Sequence, residues 1–197
     1  MSRPGLTPVR VVEEAELLAD EVGLANLTLA GVASRLGVRL PSLYKHVAGL
    51  DAVASSMVVR AKQELVGVLA RSAAGRSGDA AVAAMCRAYL DWGRRHPGRY
   101  ALTIRAPDPQ NPADCQVDAD LLALVYDVLA AYALQGSDAV DAIRALRAAV
   151  HGFLELEHAG GFGQPEDVDR SFDRMIEGLS KLLASWRSDA DGPAPSL

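Results

Sequence analysis

Apolar residues recur every three to four positions along most of this chain, and the recurrence divides it into helices. The first spans 8–22, where Val11, Val12, Ala15, Leu18, Ala19 and Val22 form one stripe. Thr7 offers a hydroxyl cap, Pro8 suits the first helical position because its missing N–H has no partner there, and Gly23 stops the helix. In the stretch LTLAGVASRLGVRLPSLYKHV (27–47) the stripes are short. Val32, Ala33 and Leu36 share a face of a two-turn helix capped by Thr28, and Leu43 and Val47 share a face of another. Gly37 ends the first of these, because glycine takes the left-handed backbone without steric cost. Apolar Val38 plugs the turn and Pro41 opens the second helix. Asp51 caps a fourth helix over 52–70, with Val53, Met57, Ala61, Leu65 and Val68 near a 3.6-residue period.

The Gly- and Ser-rich segment 72–78 then breaks the pattern. Asp79 caps a fifth helix to about residue 95, closed by His96-Pro97-Gly98, and a short helical piece covers 99–105. Three prolines in APDPQNPADC (106–115) predict a loop. Helices follow over 117–134, 137–159 and 165–188, and the end reads as a frayed tail. The expected fold class is all-α. A helix-turn-helix domain occupies 1–50, a helical bundle 51–187 and a flexible tail 188–197.

Composition supports helices: 50% of residues are hydrophobic and only 5% aromatic, so the core is mostly Ala, Leu and Val. No run of about 18 apolar residues predicts a membrane span, and no signal segment opens the chain, which points to the cytoplasm. Cys86 and Cys115 form no CxxC pair, so reduced buried thiols are expected, with no zinc and no cofactor. A net charge of −5 argues against a generally basic nucleic-acid binder. The charge is uneven, however. Between Thr28 and Lys62, the cations Arg35, Arg39, Lys45, Arg60 and Lys62 oppose only Asp51. Acid gathers in Glu13, Glu14, Glu16, Asp20 and Glu21. This predicts a local basic face suited to a few phosphate contacts.

With Leu43 and Val47 facing inward, Ser42, Tyr44, Lys45 and His46 are left pointing out. These donors and a cation can read base edges and grip phosphate, although any αα-hairpin carries a turn glycine and an apolar stripe. The segment 27–47, and GVxxPSLYxHV within it most specifically, resembles the DNA-binding domain of the TetR family of transcriptional repressors. The resemblance implies that Pro41, Ser42, Tyr44, Lys45 and His46 sit on or near the recognition helix, with Tyr44 and His46 contacting phosphates or bases. It places Arg39 and Leu40 in the turn and helix entry, and Thr28 completes the expected DNA-contacting set. Leu50 stands where the family usually has a phosphate-binding lysine, and Leu40 where a polar residue is more usual.

HPGRYAL (96–102) and RAAVHGFLELEHAGGFG (147–163) resemble the regulatory domain of a TetR subgroup with a Trp-His-Gly-like element, here Val150-His151-Gly152. A ligand-sensing family implies a cavity, and Tyr89, Trp92, Tyr100, Arg105, Tyr126, His151 and Phe153 are its expected lining, since hydroxyls and an indole N–H on apolar bodies orient small ligands. The last two helices carry more apolar length than a small domain easily hides. The resemblance implies dimerisation there, through Val150, Leu154, Phe172, Met175, Ile176, Leu179 and Leu183. The expected function is a ligand-responsive regulator, a repressor rather than an enzyme, binding a near-palindromic double-stranded operator as a homodimer. Two other readings remain open at this point. His151, Glu155 and His158, at i, i+4 and i+7, are a candidate metal or catalytic group, and the chain could be a helical interaction module that binds no DNA. Gly160-Gly161-Phe162-Gly163 follows a helix and terminates it, so it is no phosphate cradle.

Overall fold

The computed structural model describes residues 5–186, and every regular element among them is helical. The α-helices are α1 (Pro8–Val22), α2 (Leu29–Leu36), α3 (Leu40–Leu43), α4 (Leu50–Ala73), α5 (Gly78–Arg95), α6 (Pro97–Thr103), α7 (Pro112–Leu129), α8 (Gly136–His158) and α9 (Val168–Ser185). The expected tail at 188–197 lies outside the described residues.

The predicted caps form. The hydroxyls of Thr7 and Thr28 accept from the backbone N–H of Arg10 (3.2 Å) and Gly31 (3.1 Å), and Gly37 ends α2 at φ 68°. Other boundaries move. Asp51 lies inside the first turn of α4 rather than at its cap. α7 starts at Pro112, ahead of the expected residue 117, because the Asn111 side-chain oxygen accepts from the N–H groups of Ala113 (3.1 Å) and Asp114 (3.2 Å). The third proline of the expected loop is thus a helix opener, by the same chemistry as Thr7-Pro8. α9 begins at Val168, where the Asp167 carboxylate accepts from Asp169 and Arg170, so Pro165 precedes the helix.

Among the described residues the chain divides into two compact units, the first within Met1–Gly67 and Trp92–Leu121, the second within Val68–Asp91 and Leu122–Leu197. This cuts across the expected boundary at residue 50. The hairpin α2–α3 shares its unit with most of α4 and with α6, because the α4 stripe Val53, Met57, Ala61 and Leu65 is fully buried there, as are Tyr100 and Leu102 of α6. α6 meets α1 backbone to backbone: a Cβ at Gly98 would collide with the carbonyl of Ala19.

In the second unit, Val150, Leu154, Phe172, Ile176 and Leu183 are buried within the chain's own fold, and Met175 and Leu179 are half-buried. The stripe expected at a dimer interface is therefore mostly core. The Phe172 ring packs edge-on against Phe153 at 5.0 Å, and the Arg87 guanidinium of α5 lies 5.2 Å from its centroid. A unit of this size hides one apolar face of each helix by itself.

Candidate nucleic-acid interface

Leu43 is fully buried and anchors α3. Around it, Thr28, Arg39, Pro41, Tyr44 and Lys45 are exposed, and Leu40, Ser42 and His46 are half-buried. Tyr44 is 57% exposed. α3 is shorter than expected: Leu40 takes the first position and Pro41 the second, and after Leu43 the backbone closes into a turn, with His46 N–H (2.8 Å) and Val47 N–H (3.0 Å) both donating to the Leu43 carbonyl. All the predicted DNA-contacting residues except Thr28 thus lie on a single compact turn-and-a-half whose outer side is open.

The predicted basic face is smaller than the sequence suggests. Arg35 is paired with Glu14 and Glu21, Arg60 donates to Glu16 (2.9 Å) and Glu13 (3.5 Å), and Lys62 is buried against Asp114 and Asp118. Three of the five cations therefore neutralise acids of the same unit. Arg39 and Lys45 form no ion pair with any described residue, and they flank Tyr44. The acidic run of α1 is explained at the same time, since each of its five carboxylates meets an arginine: Glu13 and Glu16 meet Arg60, Glu14 and Glu21 meet Arg35, and Asp20 meets Arg99.

The expected effector-lining residues are divided between the two units. Trp92, Tyr100 and Arg105 belong to the first unit, and Tyr89, Tyr126, His151 and Phe153 to the second. Arg105 and Tyr126 are exposed. Trp92 and Tyr100 are buried, and the indole N–H of Trp92 has no hydrogen-bond partner among the described residues. Tyr89 and His151 do meet: the hydroxyl lies 3.0 Å from Nε2, with the rings edge to face at 5.2 Å. Phe153 lines a half-open cleft of about 370 Å³ with Phe162, Gln164, Glu166, Val168 and Ser171. Sequence reasoning took Phe162 only as part of a terminator, although an aromatic directly after two glycines was a signal that the turn folds back on the helix.

Burial, and then the nearby Arg147, push the His151 imidazole down to about 4. The unfolded chain, with histidine near its ordinary value of about 6.5, takes up the proton first as pH falls. The neutral ring thus contributes stability in full above about pH 6.5, and that contribution is lost as pH falls towards 4. Burial and Arg99 shift His96 the same way. His151→Gln is expected to remove on the order of 2 kcal/mol of the acid destabilisation, after allowing for the ring's partial exposure. Thermal melts between pH 7 and pH 4.5 check this; a pH slope equal to that of the wild type would contradict it.

The metal reading fails on geometry. Among the described residues no group of three or more His, Cys, Asp and Glu side chains is placed to hold an ion. His151 turns towards Tyr89, while Glu155 and His158 are exposed. Both cysteines are free thiols, with Cys86 buried and Cys115 half-buried, its Sγ donating to the Asp108 carbonyl.

Residues 82–179 match the family described as "Tetracyclin repressor-like, C-terminal domain". The chain is similar to an uncharacterized HTH-type transcriptional regulator of Bacillus subtilis (strain 168), YobS: 34% identical over 92% of this chain and 95% of that protein. The chain belongs to the TetR family of transcriptional regulators. A second relative in the family, the uncharacterized HTH-type transcriptional regulator Rv0681 of Mycobacterium tuberculosis, is 35% identical over 89% of this chain and 81% of its own length. The fold matches a TetR variant from Acinetobacter baumannii AYE, solved in complex with minocycline, with a TM-score of 0.68 and 19% identity over 93% of this chain and 99% of that one. No helix among the described residues is long and apolar enough to cross a membrane.

Proposed function

We propose that this regulator is a homodimeric repressor, acting in the cytoplasm, that holds a near-palindromic operator and releases it when a small molecule binds. The observation that carries the reading is the hairpin face itself: Arg39, Tyr44 and Lys45 project from a turn whose only fully buried side chain is Leu43. Leu40, Pro41, Ser42 and His46 fill the same face and complete a surface of donors, cations and one aromatic, the inventory that reads a major groove.

Most of the expected interface stripe being core, the dimer uses its half-buried members Met175 and Leu179 with the apolar positions beside them. Met175, Leu179 and Leu182 of α9 and Trp186 at its C-terminal cap recur at i, i+4, i+7 and i+11 and stay exposed or half-buried. Ala145, Ala149, Gly152 and Leu156 repeat the spacing on α8. Open space surrounds Gly152, so a partner helix can come close. Leu179→Glu with Leu182→Glu is expected to halve the mass seen by sedimentation. It should also weaken binding to a duplex selected by the wild type from random fragments by ~100-fold or more, since each half-site then binds alone. A wild type that sediments as a monomer while bound to that duplex would overturn the dimer reading.

For the effector, the Tyr89–His151 pair and the Phe153–Phe162 cleft of the second unit are the candidate contacts. A cleft of about 370 Å³ has the size of a small-molecule site, and the Acinetobacter protein of the same fold was solved in complex with minocycline.

A further inference from the structure

Three elements meet at the start of α6. The Asp20 carboxylate of α1 accepts from the Arg99 backbone N–H at Oδ1 (2.9 Å) and from Arg99 Nε at Oδ2 (2.8 Å). The same guanidinium donates through Nη1 to Glu64 of α4 (2.6 Å) and through Nη2 to Nδ1 of His96. The side chains of Arg99 and Asp20 are each only 11% exposed. This is not a loose surface pair, because three charge-assisted hydrogen bonds converge on one planar cation and a fourth joins the Arg99 backbone to the same Asp20 carboxylate. Beside it Gly98 lies directly on the Ala19 carbonyl. The glycine fixes how far apart α1 and α6 stand, and the arginine fixes their rotation.

α1 in turn holds the hairpin. Its Glu14 and Glu21 grip Arg35 of α2, and its Glu13 and Glu16 grip Arg60 of α4. A displacement of α6 therefore reaches α2–α3 through α1 as a body. We infer that the Arg99–Asp20–Glu64 junction sets the angle at which the hairpin is presented, and that Arg99 is a positioning residue for operator recognition although it does not touch DNA. The inference rests on the homodimer reading, because only two linked hairpins need a fixed angle to meet two half-sites.

The test selects binding sites from duplexes that carry two half-sites separated by a variable spacer. Wild-type protein is expected to favour one spacer over its neighbours by ~10-fold or more, since one base pair both rotates and shifts a half-site. Arg99→Ala and Asp20→Ala are each expected to reduce that ratio to ~2-fold while leaving dimer mass and helical content unchanged, and the double variant should go no further, as coupled residues behave. Asp20→Asn, which keeps the volume and one acceptor, carries the same expectation if the alanine variants fold poorly. Variants that melt at lower temperature yet keep the wild-type spacer ratio would overturn the inference, showing the junction to be a structural support only. Wild type lacking any spacer preference is a different result and overturns the dimer reading first.

Discussion

Tyr44→Ala is expected to abolish operator binding while leaving the fold and the dimer intact. Tyr44 is 57% exposed and packs no core, so its removal creates no cavity. Each half-site loses a ring and hydroxyl contact of about 1–3 kcal/mol, and the dimer loses it twice, which amounts to roughly thirtyfold to ten-thousandfold in affinity. Lys45→Ala serves as the comparison. As a phosphate contact it should weaken all duplexes alike and lower the salt slope by about one per half-site, whereas Tyr44→Ala should spare the slope. Titrations of the selected duplex at two salt concentrations, with sedimentation as the control for assembly, decide the matter. Undiminished binding by Tyr44→Ala would remove the recognition role from this face.

The largest stability effect is expected at Lys62. Its ammonium is 1% exposed and lies 2.6 Å from Asp114 and 3.3 Å from Asp118. Burial pushes the Asp114 carboxyl up, but the Lys62 hydrogen bond and the Asp108 N–H outweigh it and hold the group below the usual carboxylate range. Lys62→Ala leaves two carboxylates facing each other without a cation, at a cost of about 3–5 kcal/mol. That is a large share of the 5–15 kcal/mol that typically holds a domain together. Lys62→Met combined with Asp114→Asn and Asp118→Asn removes the charges together and should recover most of the loss. Urea unfolding midpoints for the single and triple variants check this. A single variant as stable as wild type would mean that water reaches the pair after the lysine is gone.

The helices were legible wherever a cap, a stripe and a stop agreed. α1 and α2 match their expected ends because Thr7-Pro8, Thr28, Gly23 and Gly37 each act through neighbours within four residues. The start of α7 was missed because three prolines in ten residues outweighed the single Asn111-Pro112 cap. The partners of the charged side chains were illegible. Arg99 and Asp20 are separated by 79 residues, and Lys62 and Asp114 by 52. A local tally therefore counted Arg35, Arg60 and Lys62 as a basic face when each was already committed to an acid. Most of the expected interface stripe turned out to be core for a related reason. Periodicity finds the apolar face of α9 but cannot say whether the chain or a second copy covers it: Phe172, Ile176 and Leu183 are covered by the chain itself, while Met175 and Leu179 stay half-buried and Leu182 exposed.

The division into units bears on how such a regulator can be recombined. A chimera that grafts a foreign sensor after residue 50, or after residue 67, would leave Ala19 and Asp20 facing an α6 that did not grow up with them. The unit that holds the hairpin is interrupted in sequence, resuming at Trp92 and running to Leu121. A transplant that respects it therefore exchanges two pieces, 68–91 and everything after 121, and keeps the segment between them with the DNA-reading end.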